Sequence, residues 1–176
     1  MNGSVQGKKF IAISGNIGSG KSTLTAMLAK HYHWTPVMET ADENPYLADF
    51  YSDMPRWSFH LQMFFLTDRF RQHRGILQRA SSSVQDRTIY EDAEIFARNL
   101  FEMNAMPERD YKTYTALYRE FTALLQPPDL VVYLNASVPK LVSQIQKRGR
   151  GYESKVPIDY LERLSHAYDR WFGEYA

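Results

Sequence analysis

Nine consecutive residues after a short apolar run have the types and spacing of a phosphate-binding loop. They follow residues 10–13, which read as a strand, and precede an amphipathic stretch that reads as a helix. In this arrangement, backbone N–H groups and the helix N-terminus attract phosphate oxygens. Lys21 then contacts the β- and γ-phosphates, and the Ser22 hydroxyl joins the shell of a magnesium ion. The sequence therefore predicts a nucleoside triphosphate site at Gly15, Asn16, Ile17, Gly18, Ser19, Gly20, Lys21, Ser22 and Thr23.

Acidic residues lie at the ends of two further predicted strands. Residues 34–39 read as a second strand that ends at Glu39. Residues 81–85 read as a third strand, which Asp86 and Arg87 follow. Ligands of an open α/β sheet bind at the carboxyl ends of its strands, so these side chains are placed for chemistry beside the phosphate loop. Taken alone, a glutamate such as Glu39 is more often a solvated surface carboxylate.

A long predicted helix, residues 56–79, carries two polar side chains beside its apolar positions. Gln62 and Arg69 are seven residues apart, so they point nearly the same way, about 10.5 Å apart along the axis. From this spacing alone we expect both to lie at the solvent margin of the helix. The apolar positions with helical spacing are Phe59, Met63, Leu66 and Phe70.

A basic segment with glycines lies between two predicted helices. Residues 147–153 include Arg148 and Arg150. Glycines give such a segment mobility and arginines bind phosphate bidentately, as a lid over a triphosphate requires. A solvated loop is the alternative. The other predicted elements are a buried strand at 130–134 and helices at 22–32, 91–104, 110–125, 139–147 and 157–172.

The whole chain limits the possible classes of protein. Its 176 residues fit one domain, residues 1–176, and a formal net charge of +1 excludes the broad basic surface that nucleic acid requires. The absence of cysteine excludes disulfides and fits a reducing compartment. No signal peptide or membrane span is present, so we expect a cytoplasmic protein without membrane or nucleic acid partners. The elements predict an α/β fold with a parallel sheet.

These motifs, in this order, resemble the deoxyribonucleoside kinases, and most of all the bacterial deoxyadenosine, deoxyguanosine and deoxycytidine kinases. The resemblance covers about residues 10–171. It implies a P-loop kinase fold, with a parallel sheet flanked by helices on both faces and a short arginine-bearing lid. The strand and helix that end the family fold are expected to be absent. The motifs that carry the resemblance are the phosphate loop, Glu39, residues 44–47, 59–62, 86–92 and 148–150.

The resemblance implies an activity and a role for each candidate residue. The activity is ATP- and Mg²⁺-dependent phosphorylation of the 5′-hydroxyl of deoxyadenosine, deoxyguanosine or deoxycytidine in nucleotide salvage. Glu39 is then the general base, Arg87 holds the 5′-oxygen and the transferring phosphoryl group, and Asp86 joins Ser22 at the metal. The lid arginines close over the phosphates. The remaining roles are contacts with the sugar 3′-hydroxyl by Tyr51 and Glu153, and with the base by Gln62, Arg69 and Asp92.

The resemblance also implies a homodimer, formed through helices such as residues 91–104. Two other functions remain as alternatives. A thymidylate kinase-like nucleoside monophosphate kinase also joins a phosphate loop to an Asp-Arg segment, but its acceptor phosphate needs a further cation, whereas Glu39 suits a neutral hydroxyl. A non-catalytic P-loop regulator of the GTPase type would carry Asp-x-x-Gly and Asn-Lys-x-Asp motifs, which the sequence lacks.

Overall fold

The computed structural model describes residues 7–174, without the side chains of residues 152 and 154. Four parallel strands form a sheet in the order β2-β3-β1-β4, flanked by helices. This is the predicted α/β class. The segment 1–6, in which we expected no signal peptide, lies outside the described residues. The strands are β1 (Phe10–Gly15), β2 (Thr35–Val37), β3 (Ser83–Asp86) and β4 (Leu130–Leu134).

The helices follow the predicted order. The lid segment contains a 3₁₀ turn, Gly151–Lys155, and a second 3₁₀ turn, Ala41–Glu43, follows β2. None of the helices in the described part of the chain has both the length and the apolarity to span a bilayer. The helices are α1 (Lys21–Tyr32), α2 (Leu47–Ser52), α3 (Met54–Gln78), α4 (Ile89–Glu91), α5 (Arg98–Glu102), α6 (Glu108–Thr122), α7 (Val138–Arg148) and α8 (Ile158–Gly173).

All four predicted strands differ from the observed ones in extent or burial. The first continues to Gly15, two residues beyond the predicted end. The second ends at Val37, because only β3 pairs with it and over three residues, so Glu39 lies beyond the strand. The third begins two residues later and includes Asp86, which pairs with Ile13. β4 has the predicted bounds but is an edge strand, and Leu130 is 53% exposed. Its apolar composition does not distinguish an edge from the centre of a sheet.

Helix α3 buries a stripe that contains polar side chains. The expected apolar face is only partly right: Leu66 is buried, whereas Phe59, Met63 and Phe70 are half-buried. Gln62 and Arg69 are buried, which contradicts their expected place at the solvent margin. They belong to a stripe of helical period that faces the sheet and the candidate site. Its members are Ser58, Gln62, Phe65, Arg69, His73 and Ile76.

The segment predicted as one α-helix over residues 91–104 is helical but irregular. A π-helix, Asp92–Ala97, separates α4 from α5. Thr88 caps α4 through a reciprocal capping box, in which its hydroxyl accepts from the Glu91 N–H and the Glu91 carboxylate accepts from the Thr88 N–H. Wide π turns are rare and frequent at functional sites. Here the π-helix begins at Asp92, one of the candidate residues.

Candidate active site

The phosphate loop connects β1 to α1 and is held by two later helices. Gly18 has a φ of +80°, and a Cβ there would lie 2.9 Å from the Ile145 side chain of α7. The Asn16 side chain donates to the Leu161 carbonyl and the Ser165 hydroxyl of α8, both at 2.9 Å. Glycine is therefore required at position 18 by close helix packing as well as by backbone conformation.

Lys21 is buried at the base of this loop. Its Nζ donates to the Asn16 carbonyl at 2.9 Å, which holds the side chain back along the loop. Burial, with repulsion from Arg87, lowers the pKa of Lys21 to about 8. The negative charges of a bound triphosphate would stabilise the ammonium form of Lys21.

Ser22 and Asp86 present neighbouring oxygens beside the loop. The Ser22 hydroxyl donates to Asp86 Oδ2 at 2.5 Å, while the buried Oδ1 of Asp86 has no hydrogen-bond partner. A hydroxyl and a carboxylate oxygen fit Mg²⁺, which takes few protein ligands and completes its shell with water and phosphate oxygens. The described residues contain no cluster of three or more metal-ligating side chains. A metal here therefore depends on the phosphates of a bound nucleotide.

The carboxylate of Glu39 faces two arginines. Its Oε1 lies 2.9 Å from Arg69 Nη2 and 3.5 Å from Arg87 Nε. Burial alone would raise the pKa of Glu39, but the charges of Arg87, Arg69, Lys21 and Arg148 outweigh it and lower the pKa to about 2. Glu39 is thus an ionised group surrounded by cations.

Arg69 also contacts the candidate base-reading carboxylate. Its Nε lies 3.2 Å from Asp92 Oδ2, and both side chains are buried. Burial raises the pKa of Asp92 to about 6, although Arg69 and Arg87 oppose that shift. One guanidinium therefore joins Asp92 to Glu39.

The lid arginines contact acidic groups of the chain itself. Arg148 forms a bidentate pair with the buried Glu153, with one contact of 2.9 Å from Nε. Arg150 Nη2 lies 2.8 Å from Asp42, and its Nη1 lies 3.7 Å from Glu153. That these arginines close over phosphates stays a prediction, and in this structure both lie beside Glu153. That residue is the predicted partner of the sugar 3′-hydroxyl.

A single cavity of about 760 Å³ contains most of the predicted residues. The predicted residues that do not line it are Gly15, Asn16, Ser19, Arg69, Asp86 and Asp92. Gln62 lines the cavity, and its buried Oε1 has no hydrogen-bond partner among the described residues. This oxygen can therefore accept a hydrogen bond from a ligand. The predicted residues that share the cavity are Ile17, Gly18, Gly20, Lys21, Ser22, Thr23, Glu39, Tyr51, Gln62, Arg87, Arg148, Arg150 and Glu153.

Sequence reasoning missed several residues that line the cavity. Phe65 and Phe96 form aromatic walls, and the Arg87 guanidinium lies 4.2 Å from the Phe96 ring centroid. Their apolar spacing is that of ordinary core residues, so nothing in the sequence marked them. Lys140 and Lys147 line the cavity from one face of α7, seven residues apart. This spacing was readable from the sequence once the helix was placed.

Comparisons with known proteins agree with this geometry. The family model for deoxynucleoside kinase matches residues 11–176. A deoxyadenosine/deoxycytidine kinase of Bacillus subtilis is 40% identical over 166 residues, which cover 93% of this chain and 76% of that protein. A deoxyadenosine kinase of Dictyostelium discoideum is 40% identical over 176 residues, covering 98% of this chain and 71% of that one.

Solved structures are similar as well. A deoxyadenosine kinase from M. mycoides with bound dATP superposes with a TM-score of 0.84 at 33% identity, covering 94% of this chain and 84% of that one. The same kinase with the products dCMP and a flexible dCDP gives a TM-score of 0.83 at 33% identity, over 94% and 83% of the two chains.

Proposed function

Since the chain belongs to the deoxynucleoside kinase family and is a phosphotransferase, we propose that its phosphate donor is ATP with Mg²⁺. We propose as acceptor the 5′-hydroxyl of deoxyadenosine, deoxyguanosine or deoxycytidine, in nucleotide salvage. By their names, the relatives above act on deoxyadenosine or deoxycytidine, and dATP, dCMP and dCDP are bound in the M. mycoides structures. We do not rank the three nucleosides as substrates.

One observation supports the proposal above all others. Glu39, Arg87 and Lys21 line the same cavity. Phosphoryl transfer requires mainly the alignment of a nucleophile and the stabilisation of charge on the transferring group. A single carboxylate for the acceptor and buried cations for the phosphates meet both needs.

In the proposed reaction, the 5′-oxygen bonds to the γ-phosphorus while the bond from that phosphorus to the β,γ-bridging oxygen breaks. Glu39 accepts the hydroxyl proton, and ADP leaves with the electrons of the broken bond. Arg87 and Lys21 stabilise the charge on the equatorial oxygens. Because the transition state is loose, the proton moves late, so an ionised base of low pKa suffices.

Ser22 and Asp86 would hold the magnesium ion through the hydroxyl and the unpaired Oδ1. When bound, Mg²⁺ neutralises charge on the β- and γ-phosphates. The lid arginines could bind the same phosphates only by leaving Glu153, which would free that carboxylate for the sugar 3′-hydroxyl beside Tyr51. Burial raises the pKa of Tyr51 well above its usual value, so its hydroxyl stays a neutral donor.

The proposed base specificity depends on Gln62, Arg69 and Asp92. A side-chain amide pairs bidentately with an adenine edge or with the corresponding groups of cytosine. Asp92 can accept from an exocyclic amino group, and Arg69 can donate to a ring nitrogen or carbonyl. Such a charged pair favours bases that carry an amino group over thymine.

The test is product formation from ATP and Mg²⁺ with each of the four deoxynucleosides and their monophosphates. We expect a monophosphate product from at least one of the three named nucleosides. Glu39→Gln should lower kcat by about 100-fold or more and change KM for the nucleoside by less than about threefold. Glu43→Gln, an exposed glutamate nearby, is the matched control. Unchanged turnover in E39Q contradicts the general base, and activity on monophosphates alone contradicts the acceptor.

We further propose that residues 1–176 form one domain, that the protein is a homodimer and that it is cytoplasmic. Most of the segment 91–104 is buried within the chain, with Arg98 and Glu102 paired at its surface, so a dimer must use that restricted surface and its neighbours. Limited proteolysis tests the single domain. Sedimentation equilibrium and cell fractionation test the other two proposals.

A further inference from the structure

The carboxylate of Glu91 connects the phosphate loop, the residue after Arg87 and helix α8, and none of the steps proposed above uses it. It is fully buried. Oε1 accepts from the Gly15 N–H at 3.3 Å and the Tyr168 hydroxyl at 2.9 Å. Oε2 accepts from the Thr88 N–H at 3.0 Å and the Thr88 hydroxyl at 3.3 Å. All of these partners are donors, which suits a group that only accepts.

One of these contacts borders a strained turn. Arg87 has a φ of +68°, a left-handed conformation that is unfavourable for a residue with a Cβ. Such strain persists only where the surrounding structure fixes the backbone. The Arg87 N–H donates to the Ile13 carbonyl at 3.0 Å, and Glu91 holds the next residue, Thr88. The turn that aims Arg87 at Glu39 is therefore held on one side by β1 and on the other by Glu91.

The other carboxylate oxygen holds the start of the phosphate loop. Gly15 is the residue at which the loop leaves β1, and its φ is +149°. Tyr168 of α8 donates to the same oxygen and is itself fixed, since its ring stacks on Tyr133 of β4 at 5.6 Å. The Glu91 side chain thus links the phosphate loop to the turn at Arg87.

We propose that Glu91 is a positioning residue for phosphoryl transfer, one that keeps the phosphate loop and the Arg87 guanidinium in register. This inference rests on the proposed function. Gln at this position has the same shape but only one accepting oxygen. Its NH₂ group would then face either the Gly15 N–H or the Thr88 N–H, so one of these buried donors loses its partner and moves.

We expect Glu91→Gln to lower kcat by between about 10-fold and 100-fold, because small displacements of reacting groups have effects of this size. KM for the nucleoside should change by less than about threefold, since the base contacts lie elsewhere. Two controls separate position from stability. Tyr168→Phe removes a donor to Glu91 but leaves both backbone contacts, and Glu94→Gln makes the same chemical change three residues later. Both should keep kcat within about threefold of the wild type.

A double-mutant cycle with Arg87→Lys identifies the route of the effect. If Glu91 acts through Arg87, then E91Q should change kcat by less than about threefold in the R87K background. Two results overturn the proposal: a kcat for E91Q equal to that of Y168F when circular dichroism shows both folded, and the full loss persisting in R87K. If instead the wild type phosphorylates none of the deoxynucleosides, it is the proposed function that fails.

Discussion

At the scale of single residues, the site is organised by the guanidinium of Arg69. It lies 2.9 Å from the carboxylate of Glu39 and 3.2 Å from that of Asp92, so the residues that we propose as general base and as base-reading group share one cation. Removal of one partner of such a buried ion pair strongly destabilises the folded protein, because the other charge is left unpaired.

The first prediction concerns the pH dependence of nucleoside binding. The pKa of Asp92 is raised to about 6, so this carboxyl becomes protonated as the pH falls through that value. The ionised carboxylate only accepts hydrogen bonds, which suits an exocyclic amino group, whereas the protonated carboxyl also carries an O–H donor. KM for the nucleoside should therefore rise about tenfold between pH 7.5 and pH 5. Steady-state kinetics across this range measures the effect.

Asp92→Asn should have a raised KM that is nearly independent of pH. Glu94→Gln, which changes a half-buried glutamate two residues later, should keep the wild-type profile. A pH profile of KM that is the same in D92N and in the wild type would show that another group titrates.

At the scale of elements, the site depends on how closely α7 approaches the phosphate loop. The loop has no room for a Cβ at position 18, where Ile145 Cγ1 and the Leu141 carbonyl would lie 2.9 Å and 3.0 Å away. Position 75, in the last turn of α3, has no atom within 4 Å of such a Cβ. The same substitution at these two glycines therefore separates packing from helix propensity.

The second prediction compares Gly18→Ala with Gly75→Ala. Gly18→Ala should lower the free energy of unfolding by about 1–3 kcal/mol, because it combines overpacking with a φ of +80°. It should also raise KM for ATP more than KM for the nucleoside. Gly75→Ala should raise the free energy of unfolding by about 0.5–1 kcal/mol, since alanine is the better helix former. Urea unfolding and steady-state kinetics measure both, and equal effects of the two changes would contradict the packing argument.

At the scale of the molecule, the sequence was sufficient to predict the position of a site residue where the local pattern and the chemistry of the residues coincide. The phosphate loop follows a strand and precedes a helix, so its place at the sheet edge could be predicted. Arg87 could be predicted for the same reason, but its left-handed backbone could not, because it is held by a contact of the Arg87 N–H with Ile13 of β1 and by the contact of Glu91 with the next residue, Thr88. Its direction toward Glu39 is a tertiary property.

Burial of polar groups was the least predictable feature. Gln62 and Arg69 are polar residues of the kind that usually lies at the solvated margin of a helix. The burial of Arg69 is tolerable because the carboxylates of Glu39 and Asp92, which are distant in sequence, pair with its charge. Similarly, the apolar run of β4 reads as a buried strand, although β4 is an edge strand whose residues are exposed or half-buried. The π-helix at Asp92 has no sequence signature that local propensity could detect.

The third prediction is that Glu39 contributes to resistance to acid. Its pKa is lowered from a usual 4.5 to about 2, so between these values the unfolded chain binds more protons than the folded one. The free energy of unfolding then falls as the pH decreases through this window. Between pH 5 and pH 3 the wild type should lose about 2 kcal/mol more than E39Q, as urea unfolding at the two values would measure. Glu43→Gln, at an exposed position in the same loop, should lose as much stability as the wild type. If E39Q and the wild type lose equal amounts, the arginines do not hold Glu39 ionised in the folded protein.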